Sequence, residues 1–479
     1  MSKLSQARRS AVLVSVFAWE CLACMISFSP VAGAQSVPIE VLYNFPEALQ
    51  ENGGNYVDPG NLVEGPDRKF YGFTVYGGLN HRGTLFRMDT NGVVTTLINF
   101  GGVQGVNPTA LVLGPDGNFY GTTFYGTPDQ FGNNQGYGTM FRLTTNGTLT
   151  TLVSSSLRSA IAHGPNSLVL GPDGALYGTS LLGGTNGGNG SLFRLTTNGV
   201  VTALYSFGRT TYVSGVGVNT DGVSPSEPLA VGPDGNLYGT THFGGPEGLG
   251  TVFGVTTSGA LAMLISGDPI GYNTGLPNGS DGLVLGPDGC FYGSTPFGGS
   301  SGQGGLFQLT TNGALTTFAS FDGTNGTDPA SALTLGHDGQ WYGLAGAGGA
   351  GNYGTIFEAT TNGALIAIAQ FDSPSGPSSE LTLGTDGNFY GTTGGGGANG
   401  TGFIYRVRSR AYIQSCLMAT NGFQVSGLNV GGSGQVVLES STNLSAWTPI
   451  LTNGPSPTMQ FLDTTAITQP QQFYRTRQQ

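Results

Sequence analysis

Charge is what this sequence has least of. Lys and Arg number 16 and Asp and Glu 27 in 479 residues, so 9% of the chain is charged and the formal net charge is −11. Soluble domains ordinarily carry about a quarter. So few cations leave no footprint for a nucleic acid, whose capture rests on neutralised phosphates. Helical bundles and coiled coils are excluded too, because they need charged faces and do not tolerate the glycine content found here. Of four cysteines, Cys21 and Cys24 fall in the first 34 residues, while Cys290 and Cys416 lie far apart in what read as different domains. A disulfide framework is not expected. The histidines, His81, His163, His242 and His337, are scattered, and no His-Glu-x-x-His or Cys-x-x-Cys pattern occurs. No zinc site is expected from that spacing.

Residues 1–34 read as a secretory signal peptide. Lys3, Arg8 and Arg9 make a basic start, Ala11 to Trp19 an apolar run, and Ala32-Gly33-Ala34 a small-residue cleavage site. Glu20 interrupts the apolar region, so an uncleaved membrane anchor is the alternative. After the leader no apolar run approaches the ~18–20 residues needed to span a bilayer. No transmembrane segment is expected in the mature chain.

What the chain has in abundance is glycine, 85 residues, and with it 25 prolines. The glycines are periodic. The phrase Gly-Pro-Asp-Gly-x-x-Tyr-Gly, or a near copy, begins at Gly65, Gly114, Gly171, Gly232, Gly286, Gly336 and Gly384, with an average spacing of about 53 residues. Each copy holds four short β-branched or aromatic segments, in the second copy Leu111 to Leu113, Asn118 to Thr123, Thr139 to Thr144 and Thr148 to Val153. Pro115-Asp116-Gly117 reverses the chain between the first pair, since proline presets φ and glycine accepts a positive one. Asn146-Gly147 reverses it between the last pair. Four antiparallel strands per repeat make one propeller blade.

The seventh copy lacks a fourth strand: after Phe403 to Val407 it runs into Arg408-Ser409-Arg410 with no Asn-Gly turn. A matching segment stands at the other end, where Leu42-Tyr43-Asn44-Phe45 repeats the endings Leu97-Ile98-Asn99-Phe100 and Leu204-Tyr205-Ser206-Phe207. Pairing the two closes a ring and removes an exposed sheet edge. The expected fold is all-β: a seven-bladed propeller over 38–409, closed by its N-terminal strand, then a small β-sandwich-like module over 411–479. In that module Gly422 to Val430, Gln435 to Ser441, Trp447 to Leu451, Met459 to Asp463 and Phe473 to Arg477 read as strands.

With Tyr120-Gly121-Thr122-Thr123, then Gly138-Thr139-Met140-Phe141-Arg142-Leu143-Thr144, and their counterparts in the other copies, the repeats resemble the tandem GloVer repeats of secreted verrucomicrobial choice-of-anchor proteins. The resemblance implies export and an extracellular or cell-surface setting in a bacterium; it implies no catalytic activity. Ser441 to Trp447 and Phe473-Tyr474-Arg475 are similar to a C-terminal module of secreted proteins from the same bacteria. The Pro-Glu-Pro sorting tail is not present.

Repeat stacking sets equivalent residues in rings. Asp67, Asp116, Asp173, Asp234, Asp288, Asp338 and Asp386 share one face, either as a calcium-attracting ring or, more simply, as caps of their own turns. No cofactor is expected, and no specific calcium motif supports a metal. On the opposite face, five residues after each repeat tyrosine, stand Tyr76, Tyr125, Leu182, Phe243, Phe297, Ala347 and Gly395. The aromatics among them either stack on sugar rings or fill spaces between blades. The long loop Thr127 to Tyr137 adds Asp129, Phe131 and Tyr137 as candidate recognition residues. Phe86, Phe141, Phe193, Phe253, Phe307, Phe357 and Tyr405 read as inter-blade core, with Arg87, Arg142, Arg194 and Arg406 pointing the other way as solvated or locally paired cations.

The reading is a non-catalytic secreted propeller that binds an extracellular polysaccharide or a surface protein through its loop face. Two alternatives are an enzyme of the streptogramin-lyase or gluconolactonase type, from likeness of fold, and a structural surface-layer component.

Overall fold

The structure is a computed structural model that describes residues 37–478 apart from 47–56, 127–136, 155–162, 187, 209, 214–215, 226, 246–249, 267–281, 330, 373–375, 378, 409–411, 420–421, 429–435, 442–447, 454–457 and 464–472. The leader at 1–34 and the loop residues Asp129 and Phe131 lie outside the described residues. Contacts divide the chain into two units, one of Ser36–Thr385 with Phe389–Val407 and one holding Arg408–Gln479.

The first unit is a seven-bladed β-propeller. Its second blade shows how the sequence builds each one. Strands Val106–Leu113, Phe119–Tyr125, Thr139–Leu143 and Leu149–Ser154 pair antiparallel in that order. In the first turn Asp116 accepts the Asn118 amide through Oδ1 at 3.2 Å, and Gly117 takes φ 76°. The Tyr120 hydroxyl then donates to Asp116 Oδ2 at 2.9 Å. Both flanking glycines are dictated by ring contacts: a Cβ on Gly114 would lie 2.4 Å from the Tyr120 ring, and one on Gly121 would lie 2.3 Å from the ring of Phe141, its cross-strand partner. The repeat phrase is thus a packing unit in which the aspartate holds the turn and the tyrosine, and two glycines make room for two rings.

Every outer strand also carries the same bulge. In blade 1 Leu85 pairs with Ile98 and Phe86 with Thr96, leaving Leu97 unpaired; Leu152, Leu204, Leu264, Phe318 and Ile368 are skipped likewise. The next blade's hairpin glycine comes down on that residue. A Cβ on Gly259 would lie 2.5 Å from the Leu204 carbonyl oxygen and one on Gly363 2.4 Å from that of Phe318. The hairpin glycine is therefore required twice, once by positive φ and once by the neighbouring backbone.

The seventh blade joins Thr382–Leu383, Phe389–Thr392 and Phe403–Val407 to Ile39–Asn44 from the opposite end of the sequence. The expected closure is what the structure shows, down to the bulge: Tyr405 pairs with Val41 and Ile404 with Tyr43, skipping Leu42. Gly92 of blade 1 sits on Leu42 as its counterparts do on theirs, 2.6 Å from carbonyl oxygen to a built Cβ. Arg406 adds a two-pronged pair to Glu40, with contacts of 2.9–3.1 Å. At the remaining bulge, Ile368, the Val37 amide takes the carbonyl at 2.7 Å.

Among the described residues the buried side chains form seven clusters, one at each seam between blades. The aromatic ring from Phe86 to Phe357 and Tyr405 lies in them, as expected. The phenylalanine ending an outer strand packs on the next blade's third-strand aromatic at five seams: Phe100 on Phe141, Phe207 on Phe253, Phe321 on Phe357, Phe371 on Tyr405 and, across the closure, Phe45 on Phe86, with centroids 5.1–5.8 Å apart. Nearer the axis, hydroxyls bridge to the following blade's backbone, as Thr109 does to Pro165 and Thr382 to Leu62. Of the arginines, Arg194 meets Asp173 at 2.6 Å and Arg87 donates to the Thr145 carbonyl of the next blade, while Arg142 Nε is buried with no hydrogen-bond partner among the described residues.

Several elements were not foreseen, among them a 3-10 turn at Gly102–Gln104 and fifth strands, His163–Pro165 and Thr327–Pro329, in blades 3 and 6. A hairpin of Thr210–Val213 and Val216–Asn219 stands between blades 3 and 4. In the second unit, Tyr412–Ala419 is a strand, pairing with Gly422–Leu428, which pairs with Thr458–Asp463. A second three-stranded sheet there joins Thr448–Asn453, Val436–Ser441 and Phe473–Gln478. Two small antiparallel sheets suit the sandwich-like module expected.

Candidate functional site

The second strand of each blade ends on the loop face at the same register. In four blades a buried threonine hydroxyl bonds the carbonyl two residues on: Thr123 to Tyr125 at 2.9 Å, Thr241 to Phe243 at 3.1 Å, Thr295 to Phe297 at 2.7 Å and Thr393 to Gly395 at 2.9 Å; elsewhere Thr74 pairs with Thr84, Ser180 donates to the His163 carbonyl, and blade 6 has Ala345. In six blades the following glycine has positive φ, between 71° and 94°. With its carbonyl held inward and the chain turning away at the glycine, the residue between them stands out of the sheet. Tyr76 is 40% exposed, Tyr125 36%, Leu182 38%, Phe243 51% and Phe297 47%. Five successive blades therefore present a large apolar side chain at one register, where blades 6 and 7 have Ala347 and Gly395. Seam filling does not account for side chains this exposed, because the seams are filled by the rings already described.

Further aromatic surface gathers beside this arc. Phe124 meets Tyr125 edge-on at 4.8 Å, and Tyr137 meets His163 of the next blade edge-on at 4.1 Å. Gly164 is tied to the Tyr137 carbonyl and lies beneath Phe124. His242 stands 5.4 Å from Phe243. Burial pushes both His163 and His242 below the ordinary histidine range, so both rings are neutral at neutral pH. Neither histidine was singled out for the loop face from the sequence, because their positions are not equivalent between repeats. Of the seven candidate residues, Tyr76, Tyr125, Phe243 and Phe297 share one register, and Tyr137 lies where the long loop of Tyr125's blade returns.

The opposite face is a set of closed turns. Asp67, Asp116, Asp173, Asp234, Asp288 and Asp338 each accept a tyrosine hydroxyl from four residues on, at 2.7–3.1 Å. Asp386 bonds Asn388 within its own turn. Burial acts to raise the carboxyls of Asp116 and Asp234, but hydrogen bonds from the following asparagine and tyrosine outweigh it, and both titrate below the usual range. Turn capping was legible from the sequence; the tyrosine bond was not, though the fixed Asp-to-Tyr spacing was its signal. Toward the axis, Glu380 is surrounded by protein yet still touched by solvent, with Asn61 donating at 3.4 Å. Desolvation raises its carboxyl above the ordinary value.

Among the described residues no three His, Cys, Asp or Glu side chains group as a metal site would need, and no helix is long and apolar enough to cross a membrane. Strand order, seams and closure define a tandem-repeat β-propeller with an apolar loop face. The chain belongs to the Gloeobacter/Verrucomicrobia repeat family, whose sequence model matches residues 32–218, 123–282 and 224–437. A comparison with curated proteins gives no match. Among solved structures, the chain is similar to a puromycin hydrolase mutant, at 14% identity and TM-score 0.45, over 82% of this chain and 62% of that one. It is also similar to a putative gluconolactonase, at 14% identity and TM-score 0.37, over 77% and 97% of the two chains. A third is a putative oxidoreductase (glucose dehydrogenase) from Thermus thermophilus, at 18% identity and TM-score 0.38, over 65% and 98%. No activity passes to this chain from likenesses at this level.

Proposed function

We propose that this protein is an exported, non-catalytic propeller that binds an extracellular polysaccharide along its loop face. The observation that carries the reading is the arc of Tyr76, Tyr125, Leu182, Phe243 and Phe297, equivalent in register, each more than a third exposed, on five successive blades. Isolated exposed apolar residues need no explanation, but a repeated set on a rigid frame does. Stacking offers a use: the apolar face of a sugar ring covers the exposed half of each aromatic, a burial of about 1 kcal/mol per ring. A linear polymer can engage several blades at once, so weak contacts add within one molecule. The leader-like N-terminus and the repeat family support an extracellular or cell-surface setting.

The test is capture on insoluble polysaccharides and cell-envelope fractions, comparing the unaltered protein with the double variant Phe243→Ala, Phe297→Ala. Saturable binding weakened about tenfold or more is expected. No binding to any polymer, or equal binding by the double variant, would overturn the reading, and lactonase or lyase turnover by the purified protein would replace it with an enzymatic one.

A further inference from the structure

The seam made by the closing strand contains a cleft of about 240 Å³ between blades 7 and 1. Its apolar side is Tyr43, Phe45 and Phe86; its polar rim includes Thr96, Asn99 and His81. Gly77 and Gly78, both at positive φ, shape the loop above it. A Cβ on Gly78 would lie 2.6 Å from Thr84 Cγ2 and 2.7 Å from Asn99 Oδ1, so this rim tolerates no side chain. Asn99 Oδ1 accepts the Leu79 amide at 2.9 Å, which fixes the side chain and leaves its NH2 group as a donor.

The repeat provides an internal comparison. Tyr205 holds the position in blade 3 that Tyr43 holds in blade 7, and each meets the phenylalanine two residues on edge-on, at 5.1 and 5.4 Å. The Tyr205 hydroxyl donates to the buried Asp221 carboxylate at 2.6 Å. The Tyr43 hydroxyl has no hydrogen-bond partner among the described residues, and partial burial raises it above the usual tyrosine range, so it remains a neutral donor and acceptor. At one seam the phenol is committed to the fold; at the closing seam it lines a cleft and has no partner among the described residues.

We propose that this cleft binds a single uncharged, hydroxylated ring, a pyranose, as a site separate from the aromatic arc. The half-buried Tyr43 ring offers a surface to the C–H face of a sugar, beside the buried Phe45 and Phe86. The Tyr43 and Thr96 hydroxyls and the Asn99 amide match its hydroxyl groups, and among the described residues no Lys, Arg, Asp or Glu lines the cleft to select a charged ligand. The volume is below the roughly 300–1,000 Å³ of drug-sized sites, which suits one ring rather than an oligomer. The inference rests on the polysaccharide reading for its class of ligand only.

The test is titration of the full chain with D-glucose, N-acetyl-D-glucosamine and D-xylose, followed by calorimetry and by protein-observed NMR. Saturable binding of at least one sugar is expected, abolished by Thr96→Trp, which fills the cleft from an exposed strand position, and weakened about three- to tenfold by Tyr43→Phe. Phe243→Ala with Phe297→Ala is expected to leave it unchanged. No saturable binding of any of the three sugars, or wild-type affinity in Thr96→Trp, would overturn the proposal. Sugar binding in the absence of polymer capture would support the cleft and remove the arc; polymer capture without sugar binding would do the reverse.

Discussion

Replacing Phe45 by alanine tests whether the closing strand bears the same load as any other outer strand. Phe45 is buried, with its ring 5.8 Å from Phe86 across the seam and 5.4 Å from Tyr43 within its own strand. Removing a buried phenylalanine ring costs about 3–5 kcal/mol through lost transfer energy and the cavity left behind. Phe207, buried at the same register of blade 3 and 5.3 Å from Phe253, is the matched control in a strand with local connections. If the ring is a single cooperative closure, Phe45→Ala and Phe207→Ala lose similar stability, a large share of the roughly 5–15 kcal/mol available to a folded protein. The assay is guanidinium unfolding followed by fluorescence of Trp341, which is buried at the seam between blades 5 and 6, far in sequence from either substitution. A loss under about 1 kcal/mol for Phe45→Ala beside the full loss for Phe207→Ala would refute the reasoning, since the seventh blade would then be fraying without the other six.

Two further outcomes follow from buried hydroxyls. Tyr405 stands where the other six blades have phenylalanine, and its hydroxyl is fully buried with no partner among the described residues, so Tyr405→Phe is expected to raise stability by about 1 kcal/mol, read as a higher unfolding midpoint. Burial and the bonded aspartates push Tyr71, Tyr120, Tyr238 and Tyr292 up to about 12. Because these folded values exceed the ordinary value near 10, their contribution is complete below pH 10 and is lost as pH rises through 12. Melting temperature should therefore fall steeply across that interval, less so in Tyr120→Phe; a flat profile to pH 12 would contradict the bonding scheme.

Seven blades, their strand order and the closure were legible because each rests on local chemistry repeated many times: Pro-Asp-Gly and Asn-Gly turns, and a strand ending such as Leu-Tyr-Asn-Phe misplaced to the N-terminus. The hairpin at Thr210–Val213 and Val216–Asn219 was not legible, since it occurs once and its Val-Gly-Val pattern merges with the strand before it. Tyr412–Ala419 escaped notice because Gln414, Ser415 and Cys416 interrupt its apolar alternation. For the loop face, periodicity located Tyr76 and its equivalents but could not tell outward from seam-filling; the direction shows only in the folded chain, where the seams are already filled and these side chains stay exposed. The cleft had no sequence signal, because it depends on which tyrosine of two equivalent ones finds a carboxylate.

The bond between Glu40 and Arg406 joins residues 366 positions apart, and it has a consequence in time. A chain made or threaded through a membrane from its N-terminus releases Ile39–Asn44 first, yet that strand has no place to dock until Phe403–Val407 has emerged. Six blades can complete themselves from adjacent segments while the first strand waits with an unpaired edge. Only the last step depends on distant partners, and contacts of that span form slowly. The first propeller strand to emerge is thus the last of the propeller to pair, and the interval between the two events is when that strand is most exposed to capture by the edges of its neighbours.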